Sequence, residues 1–377
     1  MSALALLALA IWLGLAASGF WMCSEREDRL RLADPPAWPD VVAVVPARNE
    51  ADVIARSLAS LASQDYPGNF RIILVDDNSS DGTDKIALTI NSSRVEVFRG
   101  KPLAPGWTGK LWALSQGIAE ARSPRYLWFT DADISHAPDT LCRLVAIAEE
   151  RQRKLVSFMA ELHCRTRPER AFIPAFVYLF MMLYPFNWIN RRGPLAGAAG
   201  GCVLVEREAL EAAGGIAAIR GSLIDDCALG GLLKRQGPIW LGLTHRSRSI
   251  RPYRSASEIG GMIARSAYAQ LRYSPMILAA TVLGLVLMFA VPVWLVLFGS
   301  GLAQGPAWGA LLLMVLMVQP ILRFYRLSPL WGLVQPLVGA FYTGCVLWSG
   351  WQHWRGRGGM WKGRAQAPGQ SQPVAGR

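Results

Sequence analysis

Long apolar segments near both ends of the chain restrict its possible folds more than any other feature. The first covers residues 3–22, which carry no charged side chain. Three further apolar runs follow near the other end, at residues 276–299, 309–322 and 330–350. A helix rises about 1.5 Å per residue, so about 20 residues cross the roughly 30 Å hydrocarbon core of a bilayer. The pattern predicts an N-terminal transmembrane helix at residues 1–23 and C-terminal transmembrane helices at residues 275–350.

Positive charges beside these segments predict the orientation of the chain. Arg26, Arg29 and Arg31 follow the first segment and no Lys or Arg precedes it, which places the next residues in the cytoplasm by the positive-inside rule. A cleaved signal peptide is the alternative. Three full C-terminal crossings would export the basic tail at residues 351–377, so one segment is alternatively re-entrant or interfacial. We predict a multi-pass protein of the inner (cytoplasmic) membrane whose central domain faces the cytoplasm.

Between the apolar blocks, residues 36–255 alternate like an α/β domain. Residues 41–45 are typical of a buried parallel strand, and a helix is expected over residues 50–64, with Ile54, Leu58 and Leu61 on one face. Further strands are predicted at residues 70–75, 95–98, 126–130 and 156–159. Such alternation predicts a mostly parallel sheet, whose ligands bind beyond the carboxyl ends of the strands. An amphipathic segment, expected at the membrane surface, follows at residues 256–274.

Acidic side chains follow two of the predicted strands. Asp76 and Asp77 end the second strand, and Asp131 and Asp133 end a later one. Because parallel strands end at the same edge of a sheet, the two pairs are expected to meet in one cleft. Carboxylates about 4 Å apart repel by roughly 4 kcal/mol at an effective dielectric near 20, and a hard cation such as Mg²⁺ or Mn²⁺ relieves that repulsion. Helix capping is the alternative for the Asp-Ala-Asp (DxD) motif.

Several segments, taken in order, resemble family 2 glycosyltransferases with a GT-A fold. The resemblance extends over residues 40–275 and is carried by the runs VVPARNE (44–50), LVDDNS (74–79) and DAD (131–133). Two more runs, GWTGKLWA (106–113) and SLIDDCAL (222–229), are similar to the hopanoid-biosynthesis-associated branch of that family. The resemblance implies an α/β fold with a Rossmann-like, mostly parallel sheet, and transfer of a sugar from a nucleotide-sugar donor, with a UDP-sugar favoured.

The resemblance also implies which residues bind the nucleotide. Pro46, Ala47 and Glu50 would line the nucleotide pocket. Asp77, with Asp76 beside it, would contact the base or the ribose. These residues all lie at the ends of the first two predicted strands, where a parallel sheet binds its ligand.

Other residues are implied to act on the diphosphate and on the acceptor. Asp131 and Asp133 would hold Mg²⁺ or Mn²⁺ against the diphosphate, and Lys110 matches a basic position near the sugar nucleotide. In the Asp225-Asp226 pair, Asp226 is the expected general base, since an acceptor hydroxyl needs a positioned base as it attacks the anomeric carbon. One base opposite the leaving group implies a single displacement with inversion. Ordinary acids at a helix start are the alternative for this pair.

Polymer-forming members of the family carry a Gln-x-x-Arg-Trp motif before their membrane helices. Here Arg272 matches the arginine, whereas Tyr273 replaces the tryptophan and Ala269 replaces the glutamine. This departure argues against a processive polysaccharide synthase and leaves Arg272 as a candidate for diphosphate or acceptor binding. His245 is either a late metal ligand or a structurally bonded histidine.

Composition narrows the class of partner. The chain has 377 residues, a net charge of +12 and 52% hydrophobic residues, which excludes a disordered chain. The basic excess fits a diphosphate and phospholipid headgroups, which we expect four arginines to face: Arg246, Arg248, Arg251 and Arg254. No nucleic-acid-binding motif is recognisable, so nucleic acid is not an expected partner. We predict an inverting, metal-dependent enzyme that glycosylates a membrane lipid, with a hopanoid-related acceptor favoured by the family resemblance. A non-catalytic membrane scaffold or lipid carrier is the alternative.

Overall fold

The computed structural model describes residues 1–361 and 364–365. Two compact units make up the chain. The sheet unit consists of Glu25–His163 and Phe186–Pro252, and the helical unit consists of Met1–Ser24, Cys164–Pro185 and Tyr253–Arg377. Most of the predicted basic tail lies outside the described residues.

Strands and helices alternate through the sheet unit, and helices dominate the helical unit. The strands are Val41–Ala47 (β1), Phe70–Asp76 (β2), Val95–Arg99 (β3), Tyr126–Thr130 (β4), Ile134–His136 (β5), Leu155–Glu161 (β6), Cys202–Glu206 (β7), Ile239–Ser249 (β8), Met360–Trp361 (β9) and Arg364–Ala365 (β10). The helices are Ser2–Ser18 (α1), Ile54–Ala62 (α2), Thr83–Leu88 (α3), Gly109–Glu120 (α4), Thr140–Glu150 (α5), Arg167–Leu183 (α6), Phe186–Ile189 (α7), Arg207–Ala212 (α8), Asp225–Lys234 (α9), Ala256–Gln270 (α10), Pro275–Leu285 (α11), Val291–Phe298 (α12), Gln304–Met317 (α13), Gln319–Phe324 (α14) and Gln335–Trp354 (α15).

An eight-stranded sheet organises the sheet unit, in the order β3-β2-β1-β4-β7-β6-β8-β5. Strand β1 pairs in parallel with both β2 and β4, and β2 pairs in parallel with β3. Strand β7 is antiparallel to β4 and β6, because the chain enters it at the edge where β4 ends, with Cys202 opposite Thr130. The predicted α/β sheet is therefore confirmed, with an antiparallel element that the sequence pattern did not indicate.

The centre of the sheet is covered tightly by helices. Every residue of β1 is buried, as expected for a strand with a layer on each face. Ile54, Leu58 and Leu61 of α2 are fully buried, as the helical spacing predicts. The helix begins at Ile54 instead of the expected Glu50, whose amide donates a hydrogen bond to Thr83 Oγ1 (2.8 Å).

A buried carboxylate holds the start of the sheet unit against β8. Glu27 is 0% exposed, and its two carboxylate oxygens accept hydrogen bonds from Arg246 Nη1 (2.7 and 2.8 Å). Thr244 Oγ1 donates a further bond to Glu27 (3.0 Å). Arg246 is thus paired with a carboxylate of its own unit, and its expected position on a headgroup-facing surface stays a prediction.

Four described helices are long and apolar enough to cross a membrane: Arg167–Ile189, Pro275–Phe298, Gly301–Phe324 and Pro329–Trp354. The N-terminal helix, Ser2–Ser18, is apolar but shorter, so an N-terminal crossing stays a prediction. Its Trp12 Nε1 donates a hydrogen bond to the Met288 carbonyl (2.9 Å), which packs it inside the helical unit.

Within the helical unit, α15 runs antiparallel to α11. A Cβ on Gly350 would lie 3.0 Å from Leu278 Cδ2, while Gly339 packs against Phe289. The ring of Tyr273 stacks on His353, with 4.6 Å between the ring centroids. The end of α15 therefore lies beside the start of α11, at one end of the helical unit.

The predicted amphipathic segment packs its apolar face on α15. Ile259, Ile263 and Tyr268 of α10 are buried. The Tyr268 amide donates a hydrogen bond to Ser349 Oγ (2.9 Å), which joins α10 to the last turns of α15. Whether this segment lies at a membrane surface stays a prediction.

Candidate functional site

The carboxyl ends of the parallel strands β1, β2 and β4 meet at one edge of the sheet. Ala47 ends β1 opposite Asp76, which ends β2. Pro46 lies one residue earlier in β1, and Asp131 follows directly after β4. The sheet thus brings the nucleotide-site candidates and the Asp-Ala-Asp motif to the same edge.

The Asp76-Asp77 pair is buried at this edge. Asp76 is 3% exposed, and its Oδ2 accepts a hydrogen bond from the Ser79 amide (3.1 Å). Its Oδ1 is buried and has no hydrogen-bond partner within the described part of the chain. Asp77 Oδ2 lies 3.7 Å from Arg48 Nη1. Buried polar atoms are nearly always hydrogen-bonded, so Asp76 Oδ1 stands out as an unsatisfied acceptor at this edge of the sheet.

Lys110 joins two of the acidic groups. Its Nζ lies 2.8 Å from Asp131 Oδ1 and 3.0 Å from Asp225 Oδ2. Burial disfavours the charged ammonium, but the charges of Asp131 and Asp225 outweigh it and raise the pKa of Lys110. The Asp-Ala-Asp motif and the Asp225-Asp226 pair therefore share one cation, although about 94 residues separate them in the chain.

Asp226 is held by backbone amides at the start of α9. Its Oδ2 accepts a hydrogen bond from the Gly200 amide (3.0 Å) and its Oδ1 accepts one from the Cys227 amide (2.7 Å). Burial, and then the charge of Asp225, raise the pKa of Asp226 to about 6, against the opposing effects of Lys110 and the two amides. The group is thus a carboxylate at neutral pH and more basic than an ordinary aspartate.

Close packing at Gly200 brings the loop before β7 into this cluster. A Cβ on Gly200 would lie 3.1 Å from Lys110 Nζ and 3.4 Å from Asp226 Cβ. A larger residue would therefore crowd both charged groups. The sequence analysis missed Gly200, because a glycine-rich connection between helix and strand carries no chemical signal of its own.

Arg251 occupies the other acid of the Asp-Ala-Asp motif. Its Nε donates to Asp133 Oδ2 (3.1 Å), and its Nη2 forms an ion pair with the Glu50 carboxylate. Arg251 was expected on a headgroup-facing surface, and the structure places it in the acidic cluster instead. Arg248 likewise pairs with Glu161 (3.2 Å).

A buried histidine connects the end of β4 to β8. His136 Nε2 hydrogen-bonds Thr130 Oγ1 (2.8 Å), and its Nδ1 hydrogen-bonds Ser247 Oγ (3.0 Å). Thr130 Oγ1 also donates to the Gly201 carbonyl (2.9 Å). Burial lowers the pKa of His136 to about 3, so the ring is neutral. This network fixes the residue before Asp131 and was not predicted from sequence.

Among the described residues, two other candidates show features that do not involve the acids of this cluster. His245 Nδ1 pairs with Glu161 Oε2 (2.7 Å), which favours the structural interpretation of that histidine. Arg272 belongs to the helical unit, where it adopts a left-handed backbone conformation (φ 53°) after α10. Its role in diphosphate or acceptor binding stays a prediction.

The acids of the cluster have the chemistry of a partial metal site. Among the described residues, no group of three or more His, Cys, Asp or Glu side chains is arranged to hold a metal ion. Asp131 and Asp133 offer two carboxylates, and each is paired with a cation. Mg²⁺ and Mn²⁺ sites for phosphorylated substrates often use one or two carboxylates, with phosphates and water supplying the other ligands. The donor set therefore fits such an ion.

A protein-family model matches one continuous range that includes most of the sheet unit. Residues 42–214 match the family described as Glycosyl transferase family 2. These residues form a family 2 glycosyltransferase domain. The domain includes the acids that follow β2 and β4, and the match ends before the Asp225-Asp226 pair. The predicted family is therefore confirmed for the matched residues, which make up less than half of the chain.

Characterised relatives share only part of the chain. An N-acetylglucosaminyltransferase of Mesorhizobium japonicum is 27% identical over 195 residues, which is 47% of this chain and 42% of that protein. A beta-monoglucosyldiacylglycerol synthase of Trichormus variabilis is 35% identical over 112 residues, which is 29% of this chain and 23% of that protein. The chain thus matches less than half the length of these relatives.

One solved structure is similar over almost the whole chain. It is the mannosyltransferase PcManGT from Pyrobaculum calidifontis in complex with GDP-Man and Mn²⁺, with a TM-score of 0.55 and 19% identity. The similarity covers 93% of this chain and 99% of that chain. It supports the predicted GT-A-like α/β fold.

Proposed function

We propose that the protein transfers one sugar from a nucleotide-sugar donor to a hydroxyl group of a membrane lipid, with inversion at the anomeric carbon. The observation that carries this proposal is the ammonium of Lys110 between Asp131 and Asp225. This ammonium holds Asp131, the predicted metal ligand beside the diphosphate, close to the Asp225-Asp226 pair, which contains the predicted general base. Both could therefore act on one bound donor.

Donor binding is supported by the buried acids after β2. Asp76 Oδ1 can accept a hydrogen bond from the N–H group of a base or from a ribose hydroxyl. We assign Asp76 and Asp77 to the nucleoside, with Pro46, Ala47 and Glu50 beside it, and a UDP-sugar as the donor. Asp131 and Asp133 would hold Mg²⁺ or Mn²⁺, which would stabilise the charge on the leaving diphosphate.

Asp226 serves as the general base in this proposal. Its carboxylate takes the proton of the acceptor hydroxyl while the hydroxyl oxygen bonds to the anomeric carbon and the diphosphate leaves with the bonding electrons. Both oxygens are oriented by backbone amides, so the carboxylate needs little reorganisation during the reaction. Asp225 keeps Lys110 in place beside it.

A lipid acceptor is supported by the four helices long enough to cross a membrane. We place the protein in the inner (cytoplasmic) membrane with the sheet unit in the cytoplasm. The names of relatives include a synthase of a glucosyl diacylglycerol. The runs at residues 106–113 and 222–229 favour a hopanoid-related acceptor.

Mass spectrometry of membrane lipids tests the proposal directly. Cells that express the protein should gain a lipid heavier by one hexose or one N-acetylhexosamine, because a single displacement adds one sugar. The Asp131→Ala variant should lose this product, whereas the control Asp84→Ala, on α3 of the same unit, should retain it. A ladder of added sugars would indicate a processive synthase, and an unchanged lipid profile would contradict the proposal.

A further inference from the structure

We propose that Arg251 is an exchangeable cation of the donor site. In the metal-free protein it neutralises Asp133 and Glu50, and on donor binding it turns to the diphosphate while a divalent ion takes its place on Asp133. This inference rests on the proposed function and assigns to the site a residue that the family resemblance did not indicate.

The surroundings of Arg251 are unusually acidic. Its Nε lies 3.1 Å from Asp133 Oδ2, its Nη2 pairs with Glu50, and its Nη1 lies 3.7 Å from Asp52 Oδ2. Glu50 and Asp52 precede α2, whereas Asp133 follows β4. One guanidinium therefore compensates three carboxylates from two segments of the sheet edge, and a second positive charge would be attracted there.

The side chain of Arg251 is able to change partners. It is 30% exposed, so reorientation does not require an empty cavity in the core. A guanidinium presents a planar fork of N–H donors that matches phosphate as well as carboxylate. Lys110 holds the other acid of the motif in the same way, at 2.8 Å from Asp131. Each acid thus carries a cation that a divalent ion has to displace.

This exchange predicts the sign of a thermodynamic coupling. A divalent ion alone competes with Arg251 for Asp133, so its binding is weakened. When a nucleoside diphosphate binds as well, its phosphates offer Arg251 a new partner, and the competition is relieved. The two ligands should therefore strengthen each other's binding, by a factor that linkage makes equal in both directions.

Titration of Mn²⁺ into the full-length protein, followed by electron paramagnetic resonance with and without UDP or GDP, measures this coupling. In the wild type, we expect the nucleotide to tighten Mn²⁺ binding by about tenfold or more, within the usual range for coupled sites. In Arg251→Gln, Mn²⁺ alone should bind about threefold or more tighter, and the nucleotide should then add less than about threefold.

Two further variants separate this effect from loss of charge or loss of fold. Arg56→Gln removes the same charge from an exposed position on α2 and should behave like the wild type. Arg251→Lys keeps the charge but loses the fork, so Mn²⁺ alone should bind as weakly as in the wild type while the coupling falls. Thermal unfolding of each variant verifies that it is folded.

The outcomes distinguish this inference from the proposed function. If Arg251→Gln binds Mn²⁺ alone no tighter than the wild type does, while UDP or GDP still binds with the metal, the exchange is refuted and the proposed function stands. If neither nucleotide binds to the wild type in the presence of Mn²⁺, the proposed donor site fails, and the role of Arg251 fails with it.

Discussion

Asp226 combines burial with a neighbouring like charge, and both raise its pKa. Asp225 adds negative charge, while Lys110 and the amides of Gly200 and Cys227 oppose the shift. The result is a carboxyl group with a pKa of about 6. Because a general base works only when deprotonated, the chemistry at this residue should depend on pH in the mildly acidic range.

The pH dependence follows from the direction of this shift. The transfer rate should be constant above pH 7 and fall as the pH drops through about 6, as Asp226 becomes protonated. Asp225→Asn removes a charge that raises the pKa, so the fall should move to lower pH. Single-turnover rates measured between pH 4.5 and 8 would check this, and an unchanged profile in Asp225→Asn would argue against Asp226 as the titrating group.

Replacing the base tests its role apart from pH. Asp226→Asn should lower kcat by about 10²–10⁴-fold, the usual contribution of general base catalysis. Binding of UDP with Mn²⁺ should be retained, because the proposed site gives Asp226 no contact with either ligand, although the amide group can accept only one of the two backbone hydrogen bonds. Asp84→Asn serves as the control for loss of one acid. Full activity in Asp226→Asn would exclude this residue as the base.

The sequence predicted which acidic residues belong to the site, but it did not predict which side chains pair with them. Acids that follow strands stand out in the chain, and the fold brings them to one edge. Arg251 was assigned to the wrong surroundings and His136 was missed, because the contact of Arg251 with Asp133 spans 118 residues and that of His136 with Ser247 spans 111. No local pattern records such a contact.

The placement of Lys110 depends on how α4 packs against the sheet. Gly117, in the same helix, lies directly on the sheet: a Cβ there would clash with Val44 Cγ1 and would lie 3.2 Å from Val75 Cγ2. The sequence analysis did not indicate that this segment needs a glycine where it faces the sheet. Spacing of apolar residues reports which face is buried, not how near the next layer lies.

Paired glycine substitutions test this packing. Gly117→Ala should destabilise the protein by about 1–3 kcal/mol, since overpacking forces the helix or the strands to shift. Gly231→Ala, in α9 with open space at the Cβ position, should be neutral or stabilise by up to about 1 kcal/mol. Thermal unfolding followed by tryptophan fluorescence would compare them, and equal effects of the two substitutions would contradict the close contact.

The arrangement of helices in the helical unit bears on the membrane topology, which the charge pattern left open. Between α14 and α15 the chain doubles back, since a Cβ on Gly332 would lie 2.6 Å from Gln319 Nε2. Helix α15 then ends beside the start of α11. The sequence could not resolve this topology. Apolar segments give the number of candidate crossings and flanking charges give an orientation, but neither shows where the chain reverses direction.

Reporter fusions would test the orientation. In the proposed orientation, green fluorescent protein fused after Arg357 should fluoresce, and alkaline phosphatase at the same site should be inactive, because α11 begins and α15 ends on the cytoplasmic side. Fusions after Ser300, at the other end of α12, should give the reverse pattern. Active phosphatase after Arg357 would show that the tail is exported.

The contact of Tyr273 with His353 has a consequence for biosynthesis. Arg355 and Arg357 come just after α15 and, in the proposed orientation, stay on the side where the ribosome makes them. The insertion machinery then never has to move these guanidinium groups through hydrocarbon, a step that costs about 2.5–3.5 kcal/mol for an arginine at the centre of a helix. Their charge instead helps to retain the chain end while the last helix settles into the lipid.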